Sequence, residues 1–466
     1  MSAAAGIKCR DHKIWLFLIY GSRLTGVILE VWSNFYKREM KKLALKILGL
    51  WLLIAPGILF AGHEVIFSDP KCASSKSPSF CTLDDASRIK SEGLVKKRLQ
   101  GFLFQSTQNP IDSVKIAHYI FDDIDTADYL CEQYSKARFK LKIYEQFSHR
   151  PRGSYVKIRN KLRECFTQDV EIKSIGTCDF MTERNKCNID VINTMHLKII
   201  EITRKTGETQ TVTSSGNLGK GMFANLEDWI FIDEKDDNSS KIHSCLWEQL
   251  ESLAIAAKTN AAIRENYTNC LENKNNYTNG VAIQFLPAQT LEFYNSFAEH
   301  SRNASSILIF SMDFSDKRLY GAVKSAALHG AKITIIADDD WYYSTLQRKA
   351  VGNSSKNDPK LSEELFSKHP DKVTLKYIET NHYISPFLNT VHHKMVVFKN
   401  KKGETTVLTG SLNLNPGAIK NNIDAAYWIT NRELTDSYLV YTRKMEAQAR
   451  NKSDMPKIAP EPPTIK

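Results

Sequence analysis

Val391 to Asp424 reads VHHKMVVFKNKKGETTVLTGSLNLNPGAIKNNID, and Met195 to Asp228 reads MHLKIIEITRKTGETQTVTSSGNLGKGMFANLED. Laid on one another without a gap, His196 meets His392, Lys198 meets Lys394, Ser215 meets Ser411, and Asn217 meets Asn413. Asn225 and Asn421 also coincide, as do Asp228 and Asp424. The shared pattern is H-x-K-x16-S-x-N-x7-N-x2-D, present twice with every spacing kept. A repeat this long marks an internal duplication, so the chain must fold as two copies of one unit.

The duplication extends upstream. Tyr119 to Gln146 and Phe310 to Asp340 each read strand, helix, strand; in the second, strands are expected at Ile307 to Met312 and Lys332 to Ala337, around a helix at Lys317 to His329. Strands alternating with helices, rich in β-branched residues, indicate an α/β sheet. The expected architecture is two similar lobes, each a mixed sheet flanked by helices, related by a pseudo-twofold axis. The lobes are assigned to 100–280 and 281–450, after a connector at 62–99 and before a Pro-rich mobile tail at 451–466.

The N-terminal region implies export. Residues 43–61 are apolar apart from Lys46, with Lys37, Arg38, Lys41 and Lys42 before them and Glu64 and Asp69 after. Upstream positive charge keeps the N-terminus cytoplasmic and sends the rest across. Two readings follow: a signal-anchor of a type II membrane protein, or a signal peptide starting at Met40, with 1–42 a cytoplasmic tail or a misassigned start. Eight cysteines follow the run (Cys72, Cys81, Cys131, Cys165, Cys178, Cys187, Cys245, Cys270), an even count that suits disulfides. Close pairs such as Cys72 with Cys81 and Cys178 with Cys187 are candidates, but spacing leaves the connectivity open. The absence of a C-x2-C pattern argues against a structural metal, and no cofactor is expected. Six N-x-S/T sequons, at Asn238, Asn266, Asn276, Asn303, Asn353 and Asn451, fit a glycoprotein of the secretory route.

On a strand, residues two apart share a face. His196 with Lys198, and His392 with Lys394, would then each present an imidazole beside an ammonium. Pairing of the copies brings two His, two Lys, two Asn and two Ser together. That set fits a phosphodiester. Ammonium and amide donors stabilise charge on the non-bridging oxygens. One imidazole attacks phosphorus, and the other protonates the leaving oxygen and then deprotonates water. Asp228 and Asp424 are candidates to fix the histidine tautomers, and Ser215 and Ser411 to bind substrate. His393 faces away from this site.

These residues resemble the phospholipase D superfamily, whose signature is H-x-K-x4-D followed by G-S-x-N, here HHK with TGSLN and HLK with SSGNL. The resemblance covers roughly residues 100 to 450 and implies His196 and His392 as the catalytic pair. It also implies Lys198, Lys394, Asn217 and Asn413 as phosphate binders and His196 as the nucleophile. Where the family carries Asp seven residues past each histidine, this chain has Thr203 and Lys399. The expected activity is metal-independent phosphodiester hydrolysis through phosphohistidine. Glycerophospholipid at a membrane surface is the first expected substrate, giving phosphatidic acid and a free headgroup. With 63 Lys and Arg against 52 Asp and Glu, the net charge of +11 equally suits single-stranded nucleic acid. A catalytically silent phosphate-binding protein is a third reading. The expected state is a monomer, with a homodimer left open.

Overall fold

The computed structural model describes residues 5–9, 12–16, 63–68, 93–146, 153–176, 194–219, 222, 225–234, 242–255, 260–272, 277–339, 341–343, 360–378 and 390–455. The chain divides into two compact units, residues 1–60 and 61–466. In the first, β1 (Ala5–Cys9) and β2 (His12–Leu16) pair antiparallel. The apolar run at 43–61 and the pairs Cys72–Cys81 and Cys178–Cys187 lie outside the described residues. Among the described residues, no helix is long and apolar enough to cross a membrane.

In the second unit, the first sheet is built from β3 (Glu64–Ser68), β4 (Ile111–His118), β5 (Lys140–Gln146), β6 (Val170–Ile175), β8 (Lys198–Arg204), β9 (Thr209–Ser214) and β10 (Glu227–Asp233), with β7 (Thr194–Met195) pairing elsewhere. Its order is β3-β10-β9-β8-β4-β5-β6. The second sheet follows from β11 (Tyr277–Thr278), β12 (Val281–Leu286), β13 (Ala304–Ser311), β14 (Lys332–Asp338), β15 (Val373–Ile378), β16 (Lys394–Asn400), β17 (Thr405–Gly410), β18 (Asn422–Ile429) and β19 (Arg450–Asn451). Its inner order, β12-β18-β17-β16-β13-β14-β15, repeats the first strand for strand. In each sheet the βαβ run is parallel (β4-β5-β6 and β13-β14-β15) and the remaining inner pairs are antiparallel. This is the duplicated α/β architecture expected from the repeat.

Local signals repeat as well. Asp123 and Asp316 cap the helices Ile124–Lys136 and Lys317–Leu328 by accepting backbone N–H bonds in the first turn. Gly207 and Gly403 carry φ of 88° and 89° in the two equivalent hairpins, a left-handed conformation open to glycine at little cost.

Four features depart from the sequence reading, one being the start of the mobile tail, where Asn451 pairs with Lys376 on β15 and Met455 is buried in the second lobe's core. The segment read as a connector at 62–99 supplies β3, which pairs with β10, and the helix Leu94–Phe102. Its apolar residues at Val65 and Phe67 pack against the shared core, which a solvated linker could not do. In the first copy the opening strand ends at His118, before Tyr119. The run TMHLKIIEI, read as one strand, is broken at His196 and Leu197: β7 pairs with β18 of the other lobe, while β8 joins its own sheet. The chain therefore crosses between lobes at the histidine.

Alternation along β8 and β16 explains the cores. Ile199, Met395 and Val397 enter a core shared by both lobes, whereas Ile200 and Ile202, or Val396 and Phe398, enter each lobe's own core. The helix Ser244–Ile255 adds Leu246, Trp247 and Leu250 to the shared core. Disulfides join Cys131 to Cys165 and Cys245 to Cys270, the second bracing this helix against Asn260–Leu271.

Candidate active site

Both histidines sit where one lobe lays its backbone on the other. The His196 N–H donates to Ile423 O at 2.8 Å, and the His392 N–H donates to Leu226 O at 3.0 Å. The residue after each acceptor is a carboxylate, and each carboxylate meets the incoming imidazole. Asp424 Oδ1 accepts from His196 Nδ1 at 2.9 Å. Glu227 Oε1 lies 3.2 Å from His392 Nδ1, a close contact without hydrogen-bond alignment. Each lobe thus supplies the histidine for the other lobe's carboxylate.

Glu227, not Asp228, is the counterpart of Asp424. The edge strands agree: Ser68 stands opposite Glu227, and Leu286 opposite Asp424. The serines agree too. Ser215 Oγ accepts the Asp228 N–H at 3.0 Å, and Ser411 Oγ accepts the Ala425 N–H at 3.0 Å. The second copy has one residue more between its Ser-x-Asn turn and its carboxylate, so gapless alignment paired Asp424 with the wrong acid. Asp228 instead binds the ring of His393. The sequence signal for Glu227 was an acid two residues past Asn225, whose Nδ2 donates to Glu227 Oε1 at 3.0 Å.

Ser215 and Ser411 correct a second expectation. Both are buried and hold protein groups rather than facing substrate. Ser215 caps the backbone of β10, and Ser411 Oγ donates to Asp424 Oδ1 at 2.7 Å. Ser411 thereby orients the acid that orients His196.

The lysines lie deep, with Lys198 0% and Lys394 1% exposed. Lys198 Nζ is 3.1 Å from His196 Nε2 and donates to His196 O at 2.9 Å. Lys394 Nζ donates to His392 O at 2.7 Å. Burial pushes both ammonium groups down, Lys394 to about 8 and Lys198 well below its usual value. Burial, then the adjacent lysines, likewise push His196 and His392 down to about 4. Both imidazoles are therefore neutral at pH 7. Nδ1–H on His196 serves Asp424, and Nε2, the nitrogen available for chemistry, then accepts from Lys198 Nζ at 3.1 Å.

Asn217 and Asn413 occupy equivalent turns after β9 and β17, and in each the Oδ1 is buried with no hydrogen-bond partner. A carboxamide oxygen buried without a protein partner is an acceptor open to a ligand donor.

Thr203 and Lys399 are five residues beyond Lys198 and Lys394 on β8 and β16, roughly 16 Å along an extended strand. The missing family aspartates therefore would not border the reacting groups. Among the described residues, one group has metal-ligand chemistry, Glu201, Glu234 and His243. His243 is bonded to Glu234 at 2.7 Å and to Tyr427 at 2.8 Å, and Glu201 to Lys115 and Trp247.

Gly216 carries a testable constraint. A Cβ there would lie 1.7 Å from Glu227 Oε2. Its counterpart by position is Leu412, in the copy whose carboxylate is the shorter Asp424. Gly216→Ala is expected to displace the Glu227 carboxylate and lower kcat/KM about 100-fold, the scale of a 1 Å misplacement. Gly216→Ala with Glu227→Asp recreates the pairing of the second copy, and steady-state kinetics should show about a tenfold recovery over the single variant. A single variant as active as the wild type would refute the constraint.

The family model described as cardiolipin synthase, PLD-like domain, matches residues 298–445. The phosphatidylserine synthase of Haemophilus influenzae Rd KW20 is similar in structure, with a TM-score of 0.55 and 10% identity over 77% of this chain and 85% of that one. Polyphosphate kinase from Porphyromonas gingivalis gives a TM-score of 0.47 and 10% identity over 83% of this chain, which spans 47% of the kinase. Yeast tyrosyl-DNA phosphodiesterase gives 0.44 and 15% identity over 80% of this chain and 92% of that one. No curated protein matches in sequence. Residues 298–445 thus match a PLD-like domain, and the phosphatidylserine synthase likeness shows the two-sheet fold.

Proposed function

We propose that this protein hydrolyses glycerophospholipids to phosphatidic acid and a free headgroup, through a phosphohistidine on His196. The observation that carries the chemistry is the cross-lobe pairing: each imidazole has its Nδ1 against the other lobe's carboxylate and a buried lysine at its side. His196 Nε2 attacks phosphorus while His392 gives a proton to the leaving oxygen, breaking the P–O bond. His392, now neutral, takes a proton from water as the water attacks the phosphohistidine, releasing His196 and the phosphate monoester. Lys198, Lys394, Asn217 and Asn413 bind the non-bridging oxygens throughout, where preorganised donors are worth several kcal/mol each.

The lipid reading is supported by the names attached to the matched family model and to the phosphatidylserine synthase, both concerned with phospholipids. It also agrees with the export expected from the N-terminal sequence. The net charge of +11 favours a second reading, hydrolysis of single-stranded nucleic acid. In the experiment, the full-length protein and His392→Ala are incubated in EDTA with mixed phospholipid vesicles and, separately, with labelled single-stranded DNA and RNA. Phosphatidic acid from the wild type alone supports the proposal. Nucleotides from the wild type alone replace it with the nuclease reading, and no cleavage of either substrate leaves a phosphate-binding protein.

A further inference from the structure

His393 and Asp228 are each 0% exposed and belong to neither catalytic couple. They lie directly beside one. His393 follows His392, Asp228 follows Glu227, and the two adjacent residues of each segment project to opposite faces. His393 Nδ1 is 2.9 Å from Asp228 Oδ1, so two His–carboxylate contacts, back to back, cross the same junction between lobes. The inner one is saturated. Asp228 Oδ2 accepts from Thr409 at 2.6 Å and from Tyr438 at 2.7 Å, and His393 Nε2 is 2.8 Å from the Tyr441 hydroxyl. Phe310 and Phe67 pack around the ring with centroids at 4.7 and 6.4 Å. Although burial opposes ionisation, the His393, Thr409 and Ser215 bonds hold the Asp228 carboxyl down to about 2.

The duplication supplies an internal control. At the equivalent junction, His196 is followed by Leu197 and Asp424 by Ala425, both apolar and buried. The fold therefore makes this junction without a polar couple. A buried polar couple is moreover weak as a source of stability, because desolvation offsets the attraction. The half that lacks the couple has the tighter catalytic contact, His196 hydrogen-bonded to Asp424, which Ser411 also holds. The half that has it carries the looser contact, in which Glu227 has one more rotatable bond than Asp424 and His392 lacks hydrogen-bond alignment.

We propose that His393 and Asp228 are a positioning couple that fixes the imidazole of His392 against Glu227. The pair clamps the two segments from behind, so that His392 can meet Glu227 in only one register and one tautomer. The kinetic consequence rests on the phosphodiesterase reading; the structural one does not.

The test uses the full-length protein labelled with 15N-histidine, in wild type and His393→Phe, which keeps a planar ring among the aromatics. Ring-nitrogen spectra, assigned with His392→Ala and His196→Ala, report each tautomer. His392 should be a single Nδ1–H tautomer in the wild type and a mixture in His393→Phe, while His196 keeps its tautomer. A general loosening of the fold would move both histidines. With bis(p-nitrophenyl) phosphate, kcat should fall about 30-fold with KM within about twofold, as expected for a misplaced rather than a missing group. Should His393→Phe fail to fold, Tyr441→Phe, which removes only the hydroxyl bonded to Nε2, is read the same way with a smaller change. A folded variant in which the His392 tautomer is unchanged overturns the proposal. If the wild type cleaves no phosphodiester, the functional reading fails, and the tautomer spectra still decide the proposal.

Discussion

His196→Ala is expected to lower phosphodiester turnover by about 10⁴-fold or more, the scale on which enzymes lose a nucleophile. His392→Ala should behave differently, and the difference separates their roles. With bis(p-nitrophenyl) phosphate the leaving group is a weak base and departs without a general acid. His392→Ala should therefore release about one p-nitrophenol per protein in a burst and then stall, because nothing activates water for the second step. His196→Ala should give no burst. The assignment follows from the two contacts: Asp424 and Ser411 lock Nδ1 of His196, whereas His392 meets Glu227 without hydrogen-bond alignment. A ring locked at Nδ1 presents Nε2 along one line for attack on phosphorus, which assigns that role to His196. Rapid-quench kinetics with mass spectrometry of the trapped adduct would check both. A burst from His196→Ala and none from His392→Ala would exchange the two roles.

The histidines and lysines were legible in the sequence because duplication preserved them at fixed offsets; the lysines open β8 and β16, and each histidine stands two residues before its strand. The lobes, their strand–helix–strand units and Lys317–Leu328 were legible for the same reason. What the residues failed to disclose was contact between copies. Nothing local in TMHLKIIEI says that Thr194 and Met195 pair with Asn422 and Ile423, so a single strand was the natural reading. A gapless overlay sets Asp228 opposite Asp424 because it cannot register one added residue in the segment before β18. The connector reading failed at Glu64–Ser68 because a short run after an apolar segment looks like spacer until its partner, β10, is known. The serines looked like ligand donors because their hydroxyls are free in sequence; in the fold, each is consumed by the strand beside it.

kcat/KM should peak at acid pH and fall as pH rises from 5 to 7. The reaction needs one imidazole neutral and the other protonated, and kcat/KM reports the free protein. Burial, and then the neighbouring lysines, push both imidazoles to about 4. The singly protonated form is therefore most populated near that pH, and its share drops about tenfold per unit well above it. A bound phosphate anion offsets the lysine charges and favours the imidazolium, so the kcat profile should lie at higher pH than the kcat/KM profile. Stability should run the other way. With folded values below the ordinary 6.5, the unfolded chain takes up protons first as pH falls. The two imidazoles leave stability intact above pH 6.5, and each costs roughly 1.4 kcal/mol per unit as pH falls from there toward 4. Asp228 does not add to this loss until pH falls below its usual 3.8 toward its folded value of about 2. On the alkaline side, Lys394 loses its charge above about 8, and phosphate binding should weaken with it. Steady-state rates from pH 4 to 9 beside thermal midpoints over the same range test both limbs. A kcat/KM that is flat or rising between pH 5 and 7 would show that the free site keeps an imidazolium at neutral pH, so that Glu227 and Asp424 outweigh burial and the two lysines.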